Sequence, residues 1–247
     1  MDQAAAARHL LAAHDKAHRT AALPKAARPQ SADDAYAIQR AISAEQGPIG
    51  GWKVGSPNPS SPIITCSPLP AANIVDSPAT THGSDRAVEA EIAVRIGTDL
   101  PPRETPYTTA EIRAAVASAH PAIEVLESRF SDPDAIEPFS NLADSLGHHS
   151  LIVGPAIEGW EALDLAHEEV AVLVGGREIK RKTGNPCGDM IRLVLWLADT
   201  GARWAGGLKA GQVVTTGSWT GKDIVPEGEE AVIRFTHAGE ASTRFVP

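Results

Sequence analysis

Three glutamates are spaced so that their carboxylates could act together. In the stretch AVEAEIAVRIG, alternation puts Glu89 and Glu91 on one face of a strand, while Val88, Ala90, Ile92, Val94 and Ile96 line the other. Carboxylates two residues apart on a strand can converge on one point, and a wholly apolar opposite face gives them a rigid mounting. Further along, AIEVLESRF sets Glu124 between Ala122 and Leu126 on one face of a second strand, with Glu127 and Arg129 opposite as an ion pair. A lone carboxylate among apolar neighbours needs a partner or a cation, because burying an unpaired charge is costly. If the two strands lie side by side, three hard oxygen donors meet, a set suited to Mg²⁺ or Mn²⁺ with positions left for water or substrate. Alternation alone favours the plainer account of a half-solvated strand with its polar residues turned outward.

The elements that must position these groups can be read from periodicity and punctuation. The spacing predicts an Ala-rich helix around Ala4 to Ala21 and a second starting at Ser31 after Pro29, where Ser31 and Asp34 resemble a capping box. Tyr36, Ile38, Ala41 and Ile42 form the apolar stripe of that second helix, and Gly47, Pro48, Gly50 and Gly51 end it. Six prolines between Ser56 and Pro78 predict loops with short edge strands. Ala87 to Gly97 reads as a strand, and Thr108 with Glu111 caps a helix over AEIRAAVASAH that Pro121 closes. Ala122 to Phe130 reads as another strand, and Glu169 to Arg181 as a hairpin turning at Gly175 and Gly176, where both residues can take positive φ. A helix from about Cys187 to Ala202 follows, entered through Asn185 and Pro186. Strands then return around Gln212 to Thr216, Glu230 to Thr236 and Ala241 to Val246. Helices in front and strands behind imply an α+β protein with a closed or rolled β core, divided into a helical segment over 1–50 and a β domain over 51–247 that act as one structural unit.

Composition bounds the class of function. The chain has 247 residues, 43% of them hydrophobic and 21% charged, enough for a substantial core and far from a disordered composition. A formal net charge of −9 argues against nucleic acid, whose binding depends on basic surface, and lends no support to anionic membranes. Cys66 and Cys187 are too few and too far apart for a thiolate metal site, and they fit a reducing cytosol. The N-terminus is interrupted by Arg8, His9, His14, Asp15 and Lys16 and lacks the apolar core of a signal peptide, so a cytoplasmic location is expected. The nine histidines are scattered, and the adjacent His148 and His149 face different ways on any regular element, which predicts surface positions for them.

From GWKVG (Gly51 to Gly55) onward, through VEAEIAV, AIEVLESRF, NLADS and TGNPCGDMIRLVLWLADTGARWAGGLKAGQVVTTGSWTG, the chain resembles the fumarylacetoacetate hydrolase superfamily, in its branch of 2-keto-4-pentenoate hydratases and 2-oxo-3-hexenedioate decarboxylases. The resemblance covers most of the chain from about Ala35. It implies a mixed β-roll, a divalent cation and homo-oligomers, with a complex between hydratase and related decarboxylase as a further expectation. The family's Glu-x-Glu pair falls on Glu89 and Glu91, its third carboxylate on Glu124, and the lysine of its GWK motif on Lys53. A further acidic residue of the site is assigned to Asp76. Two departures stand out: Ser56 and Pro57 where the family continues with Leu-Thr-Ser, and SLGHH over Ser145 to His149 where it is rich in asparagine.

What the resemblance implies chemically is hydration of a 2-hydroxypenta-2,4-dienoate-type acid to a 4-hydroxy-2-oxo acid, as in aromatic meta-cleavage catabolism. Lys53 and Asp76 are the expected catalytic groups, and Ser56 and Ser218 the expected contacts to substrate; Asn185 is open between a site contact and a helix-entry cap. The alternative within the branch is decarboxylation of 2-oxo-3-hexenedioate (4-oxalocrotonate), which uses the same carboxylates. A carbon–carbon bond hydrolase fits less well, because its His-Glu water-activating pair has no counterpart except His82 in a loop. A non-catalytic scaffold subunit is disfavoured by retention of all three glutamates and Lys53.

Overall fold

The computed structural model describes residues 1–13 and 16–246. Its helices are α1 (Gln3–Ala12), α2 (Ala32–Gln46), α3 (Thr109–Ala115), α4 (Pro138–Ala143) and α5 (Met190–Trp196). Its strands are β1 (Ile49–Gly55), β2 (Thr65–Pro70), β3 (Ile74–Asp76), β4 (Ala79–Thr81), β5 (Ala87–Ile96), β6 (Val116–Leu126), β7 (His148–Val153), β8 (Glu169–Val174), β9 (Arg177–Thr183), β10 (Val213–Thr215), β11 (Asp223–Ile224), β12 (Glu230–Phe235) and β13 (Glu240–Phe245). They form two mixed sheets. The larger runs β2-β1-β10-β5-β6-β7-β3, with β11 added to β5, and the smaller runs β4-β13-β12-β8-β9. The β1–β10, β3–β7 and β4–β13 pairs are parallel and the others antiparallel.

Alternation in β5 sends Val88, Ala90, Ile92, Val94 and Ile96 into the main core, where they meet Trp52 from β1, Leu193 from α5, Trp219 from the loop after β10, and Phe235 and Phe245 from the second sheet. Trp219 and Phe235 pack edge to face, centroids 5.1 Å apart, the geometry that aromatic quadrupoles favour. The opposite face of the same sheet is also covered: Leu69, Ala93, Ala122, Leu151, Val153 and Val213 form a buried cluster there. The outward-facing strand that alternation favoured is therefore not what forms, because a large mixed sheet here buries both faces. The N-terminal helices make a further core, with Leu10, Leu23, Ile38 and Ile42 around Phe130 and Leu142.

Several local expectations are met. Gly175 and Gly176 turn the β8–β9 hairpin at φ of 57° and 78°, and Thr108 and Glu111 form a reciprocal capping box. Proline-rich β2 lies at an edge of the large sheet, where a missing N–H is tolerated. Gly51 of the GWK motif is required by packing, since a Cβ there would come within 2.2 Å of the Val213 carbonyl oxygen on β10.

Others are corrected. The first helix stops at Ala12, and the part of that expectation on His14 and Asp15 lies outside the described residues. Ser31 caps α2 through Asp34 N–H, but the Asp34 carboxylate takes the N–H of Gln30 instead of completing a reciprocal box. The helix expected to run to Pro121 ends at Ala115, because pairing with β5 from Val116 onward outweighs the helix propensity of an alanine-rich stretch. Pro121 sits inside β6, its carbonyl accepting from Gly154 N–H at 2.8 Å just beyond the end of β7. Asp189, not Asn185, caps α5, and the helix widens into a π-turn over Leu197–Gly201. Among the described residues, no helix is long and apolar enough to cross a membrane.

Glu127 and Arg129 do not pair with each other. Glu127 takes Arg19 and Ser84, whereas Arg129 bonds the buried Asp144 at 2.9 Å, and Asp144 also accepts from Ser128 Oγ and Arg129 N–H. Removing one partner of such a buried pair strands the other. Asp144→Ala is expected to lower stability by about 3–5 kcal/mol in urea unfolding, and a loss below about 1 kcal/mol would mean the cluster behaves as a solvated surface pair.

Candidate active site

Glu89 and Glu124 stand directly opposite each other across β5 and β6, and Glu91 lies one alternation further along β5 opposite Ala122. Their ligand oxygens lie within 4.8 Å of one another. Lys53 reaches the group from β1 and donates from Nζ to Glu124 Oε1 at 2.6 Å. Glu91 Oε2 accepts from the Thr215 hydroxyl on β10 and from Gly217 N–H at 2.9 Å. Four adjacent strands thus each send one or two side chains to the same spot, because β10 is threaded between β1 and β5.

The electrostatics of this spot are strained. Burial, then the charges of Glu124 and Glu89, push the Glu91 carboxyl well above its ordinary value, and burial with Glu124 raises Glu89. Burial works against ionisation of Glu124 too, yet Lys53 and His148 hold it below the usual carboxylate range. Lys53 is itself disfavoured by burial, but the three glutamates more than offset that and its pKa is raised. One ammonium faces two buried carboxylates and one half-buried one, so the site has room for further positive charge. Glu124 Oε2 is buried without any hydrogen-bond partner, and an orphaned carboxylate oxygen beside two others is the feature a hard divalent cation satisfies. The donor set fits such an ion.

The group lies in a cavity of about 450 Å³ whose lining includes Lys53, Ser56, Glu89, Glu91, Glu124 and Ser218. Both serines have their hydroxyls engaged. Ser56 Oγ lies 2.9 Å from the Asn58 carbonyl and 3.1 Å from that of Ile63, so it holds the proline-rich loop. Ser218 hydrogen-bonds Glu89 and accepts from Gly221 N–H. Asp76 is placed elsewhere: it is exposed on edge strand β3, with β7 between it and β6, and it does not line the cavity. The short loop before β3 carries the aspartate to the sheet edge.

His148 is the residue that the sequence reading missed. Expected at the surface, it is 4% exposed at the start of β7 and donates from Nδ1 to Glu124 Oε1 at 2.7 Å. Burial holds its pKa below the ordinary imidazole value, and because a carboxylate only accepts, the hydrogen of the neutral ring is on Nδ1. The available signal was its register: His148 stands opposite Leu126, on the same face as Glu124.

The profile described as fumarylacetoacetate (FAA) hydrolase C-terminal matches residues 37–246, and the chain belongs to that family. Within it, the 2-keto-4-pentenoate hydratase of Burkholderia vietnamiensis is 32% identical over 152 residues, which are 61% of this chain and 53% of that protein. The chain therefore spans about half the length of this relative. The 2-oxo-hept-4-ene-1,7-dioate hydratase of Escherichia coli is 26% identical over 241 residues, 87% of this chain and 86% of the relative. Among solved structures, 4-oxalocrotonate decarboxylase from Pseudomonas putida G7, complexed with magnesium and adipate, has a TM-score of 0.84 at 23% identity, covering 98% of this chain and 97% of that one. This establishes a common fold.

With Lys53 and His148 both on Oε1, the Glu124 carboxylate is fixed and its Oε2 is left without a partner. His148→Ala is expected to weaken Mg²⁺ binding, measured by calorimetry, by about 10–100-fold, with His148→Gln recovering part of it through its amide N–H. Unaltered affinity in both variants would mean that Lys53 alone orients Glu124.

Proposed function

We propose that the protein is a metal-dependent hydro-lyase that hydrates a 2-hydroxypenta-2,4-dienoate-type acid to a 4-hydroxy-2-oxo acid. The observation that carries this reading is the convergence of Glu89, Glu91 and Glu124 with Lys53 at the floor of one cavity, on a chain whose relatives include proteins named as hydratases of such acids. Glu89, Glu91 and Glu124 would hold Mg²⁺ or Mn²⁺, which when bound supplies positive charge where the substrate 2-oxygen gains negative charge.

In the net reaction one water is added and nothing is oxidised. The enol hydroxyl proton is lost and a proton is gained at C5, giving a conjugated 2-oxo-3-enoate; water then adds its oxygen to C4 and a hydrogen to C3. Lys53, held as an ammonium by the surrounding carboxylates, can neutralise the substrate carboxylate or stabilise the enolate while staying hydrogen-bonded to Glu124. Thr215 and Gly217 hold Glu91, and Ser218 holds Glu89, so neither carboxylate swings to take protons from substrate at random. Asp76 stands outside the cavity, so this reading gives it no part in proton transfer. Burial of Glu91 and Glu124 strengthens each charge interaction made there.

Decarboxylation of 2-oxo-3-hexenedioate would use the same three glutamates, and product analysis separates the two. Hydration without CO₂ release is expected with 2-hydroxypenta-2,4-dienoate, lost on chelation and restored by Mg²⁺ or Mn²⁺. Glu124→Ala is expected to abolish metal-dependent turnover while leaving the far-ultraviolet circular dichroism intact, and Lys53→Met to reduce kcat by at least about 100-fold. Release of CO₂ from the hexenedioate with no hydration of the pentadienoate would replace this reading with its rival.

A further inference from the structure

The segment after α4 has a conformation that neither the fold nor the carboxylate site accounts for. Ser145 and Leu146 both have left-handed backbone, with φ of 55° and 56°, a region that glycine occupies freely and a branched side chain does not. The turn is held from both ends: Asp144 is locked to Ser128 and Arg129, and His148 to Glu124. A strained pair that persists between two fixed anchors is a candidate for function.

What the turn does is place the Leu146 side chain. Leu146 and Leu126 line the 450 Å³ cavity on one side and, on the other, a second cavity of about 230 Å³. The two leucines are the partition between them. On the near side, Val54 and the exposed Pro57, Ile63 and Pro186 continue an apolar lining, and Lys53, the one cationic side chain there, is already bonded to Glu124. On the far side stand Lys222 and Asn141 together with Asp85, which is paired with Arg19 at 2.7 Å, and Asp134. Lys222 lies 3.9 Å from Asp134, which is 90% exposed, and its charge also acts on Glu89.

We infer that Leu146 sets substrate specificity by closing the tail end of the cavity, confining the enzyme to acids with a short, uncharged tail and excluding a second carboxylate from the polar cavity behind it. The inference rests on the hydratase reading for the identity of the substrate, but the partition itself does not. A distal carboxylate pressed against Leu126 and Leu146, both half-buried, would lose hydration without gaining a partner, an arrangement that discriminates against it. Removing the leucine joins the cavities and brings Lys222 within reach of the tail.

The test compares kcat/KM for 2-hydroxypenta-2,4-dienoate and 2-hydroxyhepta-2,4-diene-1,7-dioate in the Mg²⁺-loaded wild type, in Leu146→Gly, whose backbone is relaxed at this φ, and in Leu146→Gly with Lys222→Gln. The wild type is expected to prefer the monoacid by about tenfold or more. Leu146→Gly should move the ratio about tenfold toward the dioate, and adding Lys222→Gln should take back most of that gain. Calorimetric binding of the unreactive 2-oxopentanoate and 2-oxohexanedioate to the same three Mg²⁺-loaded proteins should follow the same order. Equal use of both dienoates by the wild type, or the same ratio before and after Leu146→Gly, overturns the inference. If neither dienoate is hydrated, the hydratase reading fails, and the binding ratios still decide the role of Leu146.

Discussion

Everything at the candidate site depends on how Glu124 is kept ionised inside the protein. Its side chain is fully buried, and a carboxylate in that position survives only with compensating charge and hydrogen bonds. Lys53 supplies the charge and His148 a neutral donor, both on the same oxygen. The consequence is geometric as much as energetic, because the second oxygen is left buried and without a partner in a group whose ligand oxygens lie within 4.8 Å of one another. Had Lys53 and His148 taken one oxygen each, neither oxygen of Glu124 would be left without a partner.

The sheet explains why such an arrangement is affordable. One face of β5 is buried against the main core and the other against the small cluster around Ala93, Leu151 and Val213. The strands carrying the glutamates are therefore fixed on both sides, and the small residues Ala93, Ala122 and Gly51 keep the backbones of β1, β10, β5 and β6 close. The relatives' names and the shared fold give this arrangement its chemical context, while the charges and distances come from the chain itself.

Much of this was legible in the sequence where the signal is local. Alternation identified the shared face of Glu89 and Glu91, Gly175–Gly176 the hairpin, and Thr108 with Glu111 the start of α3. What alternation could not supply was the burial of that face, since the residues covering it come from β2, β7 and β10, far apart in the chain. Order and spacing of motifs supplied it instead, through Lys53 and Glu124. Stretches whose local preference conflicts with pairing were misread: Val116 to His120 looks helical and is a strand because β5 lies beside it. His148 was missed for a related reason, as a histidine in a polar-looking SLGHH run betrays nothing until β7 is set beside β6. Asp76 was placed by motif order alone, and order does not fix the path of a loop whose length differs.

The threading of β10 between β1 and β5 has a consequence for how the protein comes into being. Trp52 and Gln212, which bond at that junction, are 160 residues apart, so β10 is made long after the β1 and β5 strands it joins. A nascent chain that ends before Val213 already contains all three glutamates and Lys53, yet β1 and β5 have nothing to pair through and Glu91 lacks the hydroxyl and N–H that hold it. Bringing Lys53 beside the glutamates of β5 and β6 is thus a long-range step of folding, completed when β10 inserts between β1 and β5.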